Sequence, residues 1–333
     1  MSRIFTLLAV TAFMTSCDWH EECEYYGWLR VTNNWQGYEK IPSSPDRNYA
    51  LFYSELKGFQ GEFDIVGNLE GVPDTVTAKV PIGATNVITY TRPNEEEESS
   101  TMSKNIRFKN LESYNGAVAY LDYYMDEEGG HLAEPGLFYV GQSSANVKFE
   151  DTEIVASGET VNRIPVLQRQ ITKFLEFRFR TGKDNPSLPS VTGIRTTLSG
   201  VASELYLSTG MGVPESAVTC SYVAAPIEYV DPENPSSDNL ANIQFKYAFS
   251  VLDFLGRYES VDNTKNILTV YATLENGEER KRSIDITPYL EDFDQLCMVA
   301  RIDVDVSSDN LKLGVVFAEF EEGLWEYYNI GKK

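Results

Sequence analysis

The chain has 333 residues, with 50 acidic side chains against 28 basic ones and a formal net charge of −22. An acidic excess of this size repels nucleic-acid phosphates and anionic lipid headgroups, which excludes DNA, RNA and polybasic membrane binding as leading functions. Hydrophobic residues make up 42%, enough for packed cores and against disorder, and the length points to roughly two domains.

The N-terminus reads Met1-Ser2-Arg3, an apolar stretch from Ile4 to Met14, then Thr15-Ser16-Cys17. One basic residue, a short apolar run and small residues before a break form the pattern of a secretory signal. The run is shorter than the ~20 apolar residues that cross a bilayer, and no other segment is long or apolar enough. Met14-Thr15-Ser16-Cys17 resembles a lipobox, in which one bulky and two small residues fit the lipoprotein signal peptidase. The cysteine thiol then takes a diacylglyceryl group and becomes the new N-terminus. An ordinary secretory signal is the competing reading. Lipidation is favoured, because nothing apolar follows and no A-x-A-like site competes. Residues 1–16 are therefore assigned as signal peptide, Cys17 as the lipid-attachment site and residues 17–24 as a lipidated tether. Each buried methylene contributes about 0.8 kcal/mol, so two or more acyl chains of the palmitate class anchor stably. Asp18, Glu21, Glu22 and Glu24 are similar to the surface-export signals of Bacteroidota lipoproteins.

From Tyr25 onward the dominant period is two, that of half-buried strands. Strand candidates lie at Trp28–Asn33, Tyr49–Tyr53, Val87–Thr91, Ile106–Leu111, Val118–Tyr124 and Leu137–Val140. Pro93–Ser100, carrying Glu95 to Glu98, reads as a solvated loop. Ser157–Pro165 separates two groups of strands of similar size, and the domain boundary is placed there, giving units 25–158 and 159–333. Beyond it, Leu175, Phe177 and Phe179 share one face of a strand, and Glu176, Arg178 and Arg180 the other. A short helix is expected around Ser199–Ser208, and an exposed loop at Asp231–Asn239. Asn276-Gly277 sits between the runs Ile267–Glu275 and Glu278–Ile286, which predicts a hairpin with a type I′ turn. Ala300, Ile302, Val304 and Val306 alternate with Arg301, Asp303 and Asp305. The total, about fourteen or more short strands separated by turns, predicts an all-β protein built of β-sandwiches.

Motifs for catalysis are missing. His20 follows the lipid site on the tether and His131 follows Gly129-Gly130 in an expected loop. No nucleophile elbow, zinc-protease helix, P-loop or dinucleotide fingerprint accompanies them. Carboxylate pairs such as Asp303 and Asp305 could serve a glycosidase, but projection from the polar face of a strand explains them as solvation. Asp126-Glu127-Glu128 and the Asp231–Asp238 stretch offer oxygen ligands for calcium without an EF-hand spacing, and surface acidity is preferred. With Cys17 spent on lipid, Cys23, Cys220 and Cys297 remain. A Cys220–Cys297 bridge and buried free thiols both fit, and the spacings match no zinc pattern. Neither an enzyme nor a metal nor a cofactor is expected. The 20 tyrosines and 17 phenylalanines chiefly fill cores and cross-strand pairs, with glycan stacking the minority reading.

The second half carries a family resemblance. Val191-Thr192-Gly193-Ile194-Arg195-Thr196-Thr197-Leu198-Ser199-Gly200-Val201-Ala202 is followed by Leu205-Tyr206-Leu207-Ser208-Thr209-Gly210. Leu268-Thr269-Val270, the Asn276-Gly277 hairpin and Ile284-Asp285-Ile286-Thr287 come later. This order resembles the fimbrial anchor and assembly lipoproteins of Bacteroidota, most clearly from Phe174 to Thr287. The resemblance implies two transthyretin-like β-sandwich domains in tandem, lipid at the start of the first, and no catalytic residues. It also implies an anchor or assembly subunit, lipid-anchored to the outer membrane and exposed at the cell surface, that engages fimbrial stalk subunits by β-strand pairing and no nucleic acid. The alternative is a surface glycan- or ligand-binding lipoprotein partnered with an outer-membrane importer, which a flat platform of exposed tryptophans and tyrosines would favour.

The lipobox is directly testable. Mass spectrometry of the mature N-terminus is expected to find an acylated Cys17, and Cys17→Ala to move the protein from the membrane to the soluble fraction. An unmodified N-terminus at any other residue would remove the lipid from the account.

Overall fold

β-Branched and aromatic residues recur at period two along most of the chain, and strands form where they do. A computed structural model describes residues 26–35, 47–65, 75–92, 105–149, 162–227, 243–258, 264–290 and 297–318. The protein is all-β. Its first strands are β1 (Tyr26–Asn34), β2 (Arg47–Ser54), β3 (Gly58–Ile65), β4 (Thr75–Pro81), β5 (Gly83–Arg92), β6 (Arg107–Lys109) and β7 (Val118–Tyr120). Next come β8 (Tyr123–Asp126), β9 (Gly129–Leu132), β10 (Tyr139–Val147), β11 (Arg163–Leu167), β12 (Arg169–Gln170), β13 (Lys173–Lys183), β14 (Val191–Ala202) and β15 (Glu204–Tyr206). The rest are β16 (Met211–Gly212), β17 (Ala217–Pro226), β18 (Phe245–Val251), β19 (Asp253–Phe254), β20 (Ile267–Leu274), β21 (Glu279–Asp285), β22 (Cys297–Val306) and β23 (Leu311–Ala318).

The first sandwich faces the sheet β11-β1-β4 against the sheet β12-β10-β5-β2-β3. Leu29, Val31, Ala78, Val80 and Val166 of the smaller sheet meet Ala50, Phe52, Val87 and Val147 of the larger. β1 alternates buried and half-buried residues along its whole length, as a strand with one covered face must. β2 does not: Ala50, Leu51, Phe52 and Tyr53 are all buried. The larger sheet is covered on both faces. Leu51, Ile88, Tyr90 and Val140 of its second face pack with Ile106, Ala117, Ala119 and Leu121, and with Leu205, Leu207 and Leu252 from the second half of the chain. That third layer is the sheet β16-β15-β7-β6, in which Val118–Tyr120 pair antiparallel with Glu204–Tyr206.

The second sandwich is one sheet bent over itself, in the order β21-β20-β14-β17-β18-β13-β22-β23. β17 makes the corner. It pairs with β14 over most of its length and reaches β18 only through Ala225 and Pro226. Between the two halves of the sheet lie Leu175, Phe177, Phe179, Leu198, Leu268, Val270, Ala272, Ile302 and Val304. The faces read from the alternation at 175–179 and 300–306 are therefore the faces that are buried.

Two local expectations change. The helix expected at Ser199–Ser208 is instead the end of β14, β15 and a turn. Gly200 takes φ +71°, and a Cβ there would stand 2.8 Å from the Lys265 carbonyl oxygen. It forms a bulge, with the register of β14 on β17 shifting between Leu198 and Val201, and glycine is the residue that permits this. The Asn276-Gly277 hairpin forms, pairing Ile267–Thr273 with Glu279–Asp285. Its turn is not type I′, since only Gly277 has positive φ, +83°. The Gly277 N–H donates to the Leu274 carbonyl at 2.8 Å and the Leu274 N–H to the Glu278 carbonyl at 2.9 Å. This is a three-residue loop closed by a left-handed glycine, which also suits the right-handed strand twist. The boundary placed at 158/159 falls among residues 150–161, outside the described residues. The strands just beyond it, β11 and β12, pair with β1 and β10 of the first sandwich.

Leu205 is fully buried in the layer shared by the two halves. Leu205→Ala is expected to cost about 2–5 kcal/mol of unfolding free energy. Chemical denaturation should show one transition moving for both sandwiches, since the lost contacts belong to both. A second transition left at its original midpoint would show that the layer does not couple them.

Candidate functional site

The residues singled out by sequence do not converge. Cys17 and His20 lie outside the described residues, as do 93–100 and 231–239, where the sequence predicts loops. His131 sits on β9 rather than in a loop. Its Nε2 is 3.0 Å from Asp126 Oδ1, and its ring stacks on Tyr124 at 5.2 Å. Asp126 Oδ1 also accepts from the Glu128 and Gly129 backbone N–H groups, at 2.8 and 3.1 Å. These bonds, the Glu128 N–H first, hold the Asp126 carboxyl below the ordinary range. Its oxygen thus serves the turn of the β8–β9 hairpin. Among the described residues no group of His, Cys, Asp and Glu side chains is arranged to hold a metal ion. Asp303 is gripped by Arg180 through two bonds of 2.8 Å.

Cys220 is a free, buried thiol on the inward face of β17, so the Cys220–Cys297 bridge is not formed. Trp28 and Trp35 are half-buried, and Trp35 packs edge-on against Tyr139 at 5.3 Å. They do not make a flat exposed platform. Among the described residues the exposed aromatics are Tyr123, Tyr124, Phe149 and Tyr289. Tyr123 belongs to the β8–β9 hairpin, which leans on β17: its hydroxyl donates to the Thr219 carbonyl at 3.0 Å.

The sheet edges are more informative. An edge strand offers a row of unpaired N–H and C=O groups, and proteins usually blunt it with charge, proline, bulges or brevity. β21 carries Glu279, Arg280, Lys281, Arg282 and Asp285. β3 carries Glu62 and Asp64 and a bulge where its register on β2 shifts. β4 has Lys79 and ends at Pro81, and β11 contains Pro165. β6, β12 and β16 have three residues or fewer. β23 has none of these defences beyond its second residue. It runs eight residues with Lys312 as its only charge, and Lys312 is held by Asp184 at 2.7 Å. Its Leu313, Val315 and Phe317 pack on the core, and Phe317 stacks on Tyr289 at 4.8 Å. Val316 points outward, 48% exposed. Among the described residues β23 pairs only with β22. The sequence carried this signal in Leu313-Gly314-Val315-Val316-Phe317, an uncharged stretch, but could not place it at an edge.

No family model matches the chain, and no curated protein matches it. Solved structures do. The fimbrial anchor protein Mfa2 from Porphyromonas gingivalis aligns over 89% of this chain and 98% of its own, with TM-score 0.52 and 12% identity. A candidate adhesin from Bacteroides ovatus aligns over 86% and 93%, with TM-score 0.52 and 16% identity. A candidate polysaccharide-binding protein from Bacteroides thetaiotaomicron aligns over 89% and 99%, with TM-score 0.50 and 9% identity. The chain has the fold of these proteins over nearly its whole length, which meets the resemblance read from residues 174–287 at the level of fold.

Burial raises the Cys220 thiol to about 11, so almost none is thiolate near neutral pH and its reactivity is low. In the native protein the peptide bearing Cys220 is expected to resist iodoacetamide at mildly alkaline pH and to alkylate fully in urea. Rapid native alkylation would show that β17 opens in solution.

Proposed function

We propose that the protein is a lipid-anchored, cell-surface subunit of a fimbria, serving as its anchor or as an assembly subunit. The single observation that carries this reading is the undefended β23 edge at the end of the second sandwich. Strand addition there supplies main-chain hydrogen bonds for affinity, and the alternating side chains supply register. Such pairing dissociates slowly, because many bonds and buried side chains must part together. Lipid at Cys17 fixes the opposite end of the chain to the outer membrane. Together these let one molecule hold a polymer without a covalent link. The likeness in fold to a fimbrial anchor protein and to candidate adhesins supports the reading, and the proposal needs no catalytic group or cofactor.

A second reading is a surface glycan- or ligand-binding lipoprotein partnered with an importer. The exposed Tyr123, Tyr124 and Met125 of the β8–β9 hairpin favour it, as does the likeness to a candidate polysaccharide-binding protein.

In the parent bacterium, deletion of the gene is expected to shed fimbriae into the medium or to alter their length. Val316→Lys places a charge on the β23 edge without touching the core, and should reproduce that phenotype while leaving the melting temperature within a few degrees of wild type. Fimbriae that stay attached and unchanged in both strains, with polysaccharide binding lost on Tyr124→Ala, would favour the second reading.

A further inference from the structure

The outward face of the sheet beside β23 carries charges in register. Lys246 of β18 lies opposite Arg178 of β13, Arg178 opposite Arg301 of β22, and Arg301 opposite Val316 of β23. Their chain neighbours Phe177, Phe179, Ile302 and Val315 face the core, so these four side chains share the other face. Like charges directly opposite one another destabilise a sheet. Glu176 relieves Arg178, its carboxylate 2.5 Å from the guanidinium Nε, with both side chains largely buried. Arg301 has no such relief. No carboxylate of the described residues pairs with it, and its Nε is buried without a hydrogen-bond partner. In a chain of net charge −22 carboxylates are abundant, yet none of those described is set against this guanidinium.

We propose that the strand received at β23 is acidic on its outward face, and that Arg301 binds one of its carboxylates across Val316. This rests on the reading of β23 as the pairing edge. A strand added there lies two strand spacings from β22, about 10 Å, which an extended arginine and a glutamate side chain span together. A guanidinium presents paired donors that match a carboxylate, and charge-assisted bonds of this kind are stronger than neutral ones. Val316 beneath the pair is apolar and limits its hydration. The partner class is therefore a protein subunit with a β-strand bearing Glu or Asp at alternate positions. Arg301 supplies selectivity among such strands, and the backbone of β23 supplies the pairing itself.

Two short peptides test this on the full-length protein. One alternates valine with glutamate and the other valine with glutamine. Both are expected to slow hydrogen exchange of the β23 amides. The glutamate peptide should bind roughly tenfold more tightly, the size of one charge-assisted contact. Arg301→Gln, at a half-buried surface position, should bring the ratio to about one while both peptides still protect β23. Equal affinities for the wild type, or a preference that survives Arg301→Gln, would overturn the acidic partner and leave the pairing edge intact. Failure of both peptides to protect β23 would instead overturn the pairing edge. Polygalacturonate binding that needs Arg301 but leaves β23 unprotected would assign the guanidinium to an acidic glycan, against the proposal.

Discussion

The architecture depends on a strand pairing that crosses the middle of the chain. Val118–Tyr120 of the first half and Glu204–Tyr206 of the second join one small sheet, and that sheet covers the second face of β2, β5 and β10. Without it, Leu51, Ile88 and Tyr90 would meet water on the far side of the first sandwich. The hydrophobic term is proportional to apolar area removed from water, so this layer is where the stability of one sandwich comes to depend on the other. The β8–β9 hairpin repeats the arrangement in reverse, leaning from the first half onto β17 of the second. Each half lends the other a small piece of β structure.

That exchange has a mechanical consequence for a protein proposed to hold a filament. Load applied at β23 would pass through the bent sheet of the second sandwich into the shared layer, and from there into β2 and β5. Each step runs through hydrogen-bonded strands and packed side chains. Sheets that share strands resist separation better than domains touching through a polar interface, where relative motion is the default.

The edges show a division of labour by charge. The chain spends acidic and basic side chains on β21, β3 and β4, which are thereby poor templates for another strand. β23 keeps a run free of charge where side chains can pack against a neighbour. Arg301 lies one strand inside that edge, with Arg178 and Lys246 in register on the next two strands. On the pairing proposed above, an edge open in its backbone with an unpaired guanidinium beside it would admit strands while sorting them by charge. Electrostatic complementarity contributes to specificity and encounter rate more than to raw affinity.

The amino-acid sequence by itself determined the all-β class, because alternation at period two encodes which face of a strand is buried, and it located Leu175–Phe179, the 267–286 hairpin and the 300–306 strand. It also carries Met14-Thr15-Ser16-Cys17, the linear pattern from which lipidation is expected and which needs no fold to be read. It misread what depends on distant chain. Ser199–Ser208 looked helical because the bulge at Gly200 breaks the alternation, and that bulge is set by contact with Lys265 and Asn266. The I′ turn was mistaken because loop length is fixed by the register of both strands rather than by the Asn-Gly pair. The continuous burial of Ala50–Tyr53 arises from a layer supplied by residues 106–121 together with Leu205, Leu207 and Leu252 of the second half. The candidate edge was least legible of all. Leu313–Phe317 is written in the sequence as an ordinary apolar strand, and whether such a strand lies inside a sheet or at its margin is decided only by which neighbours the tertiary structure sets beside it.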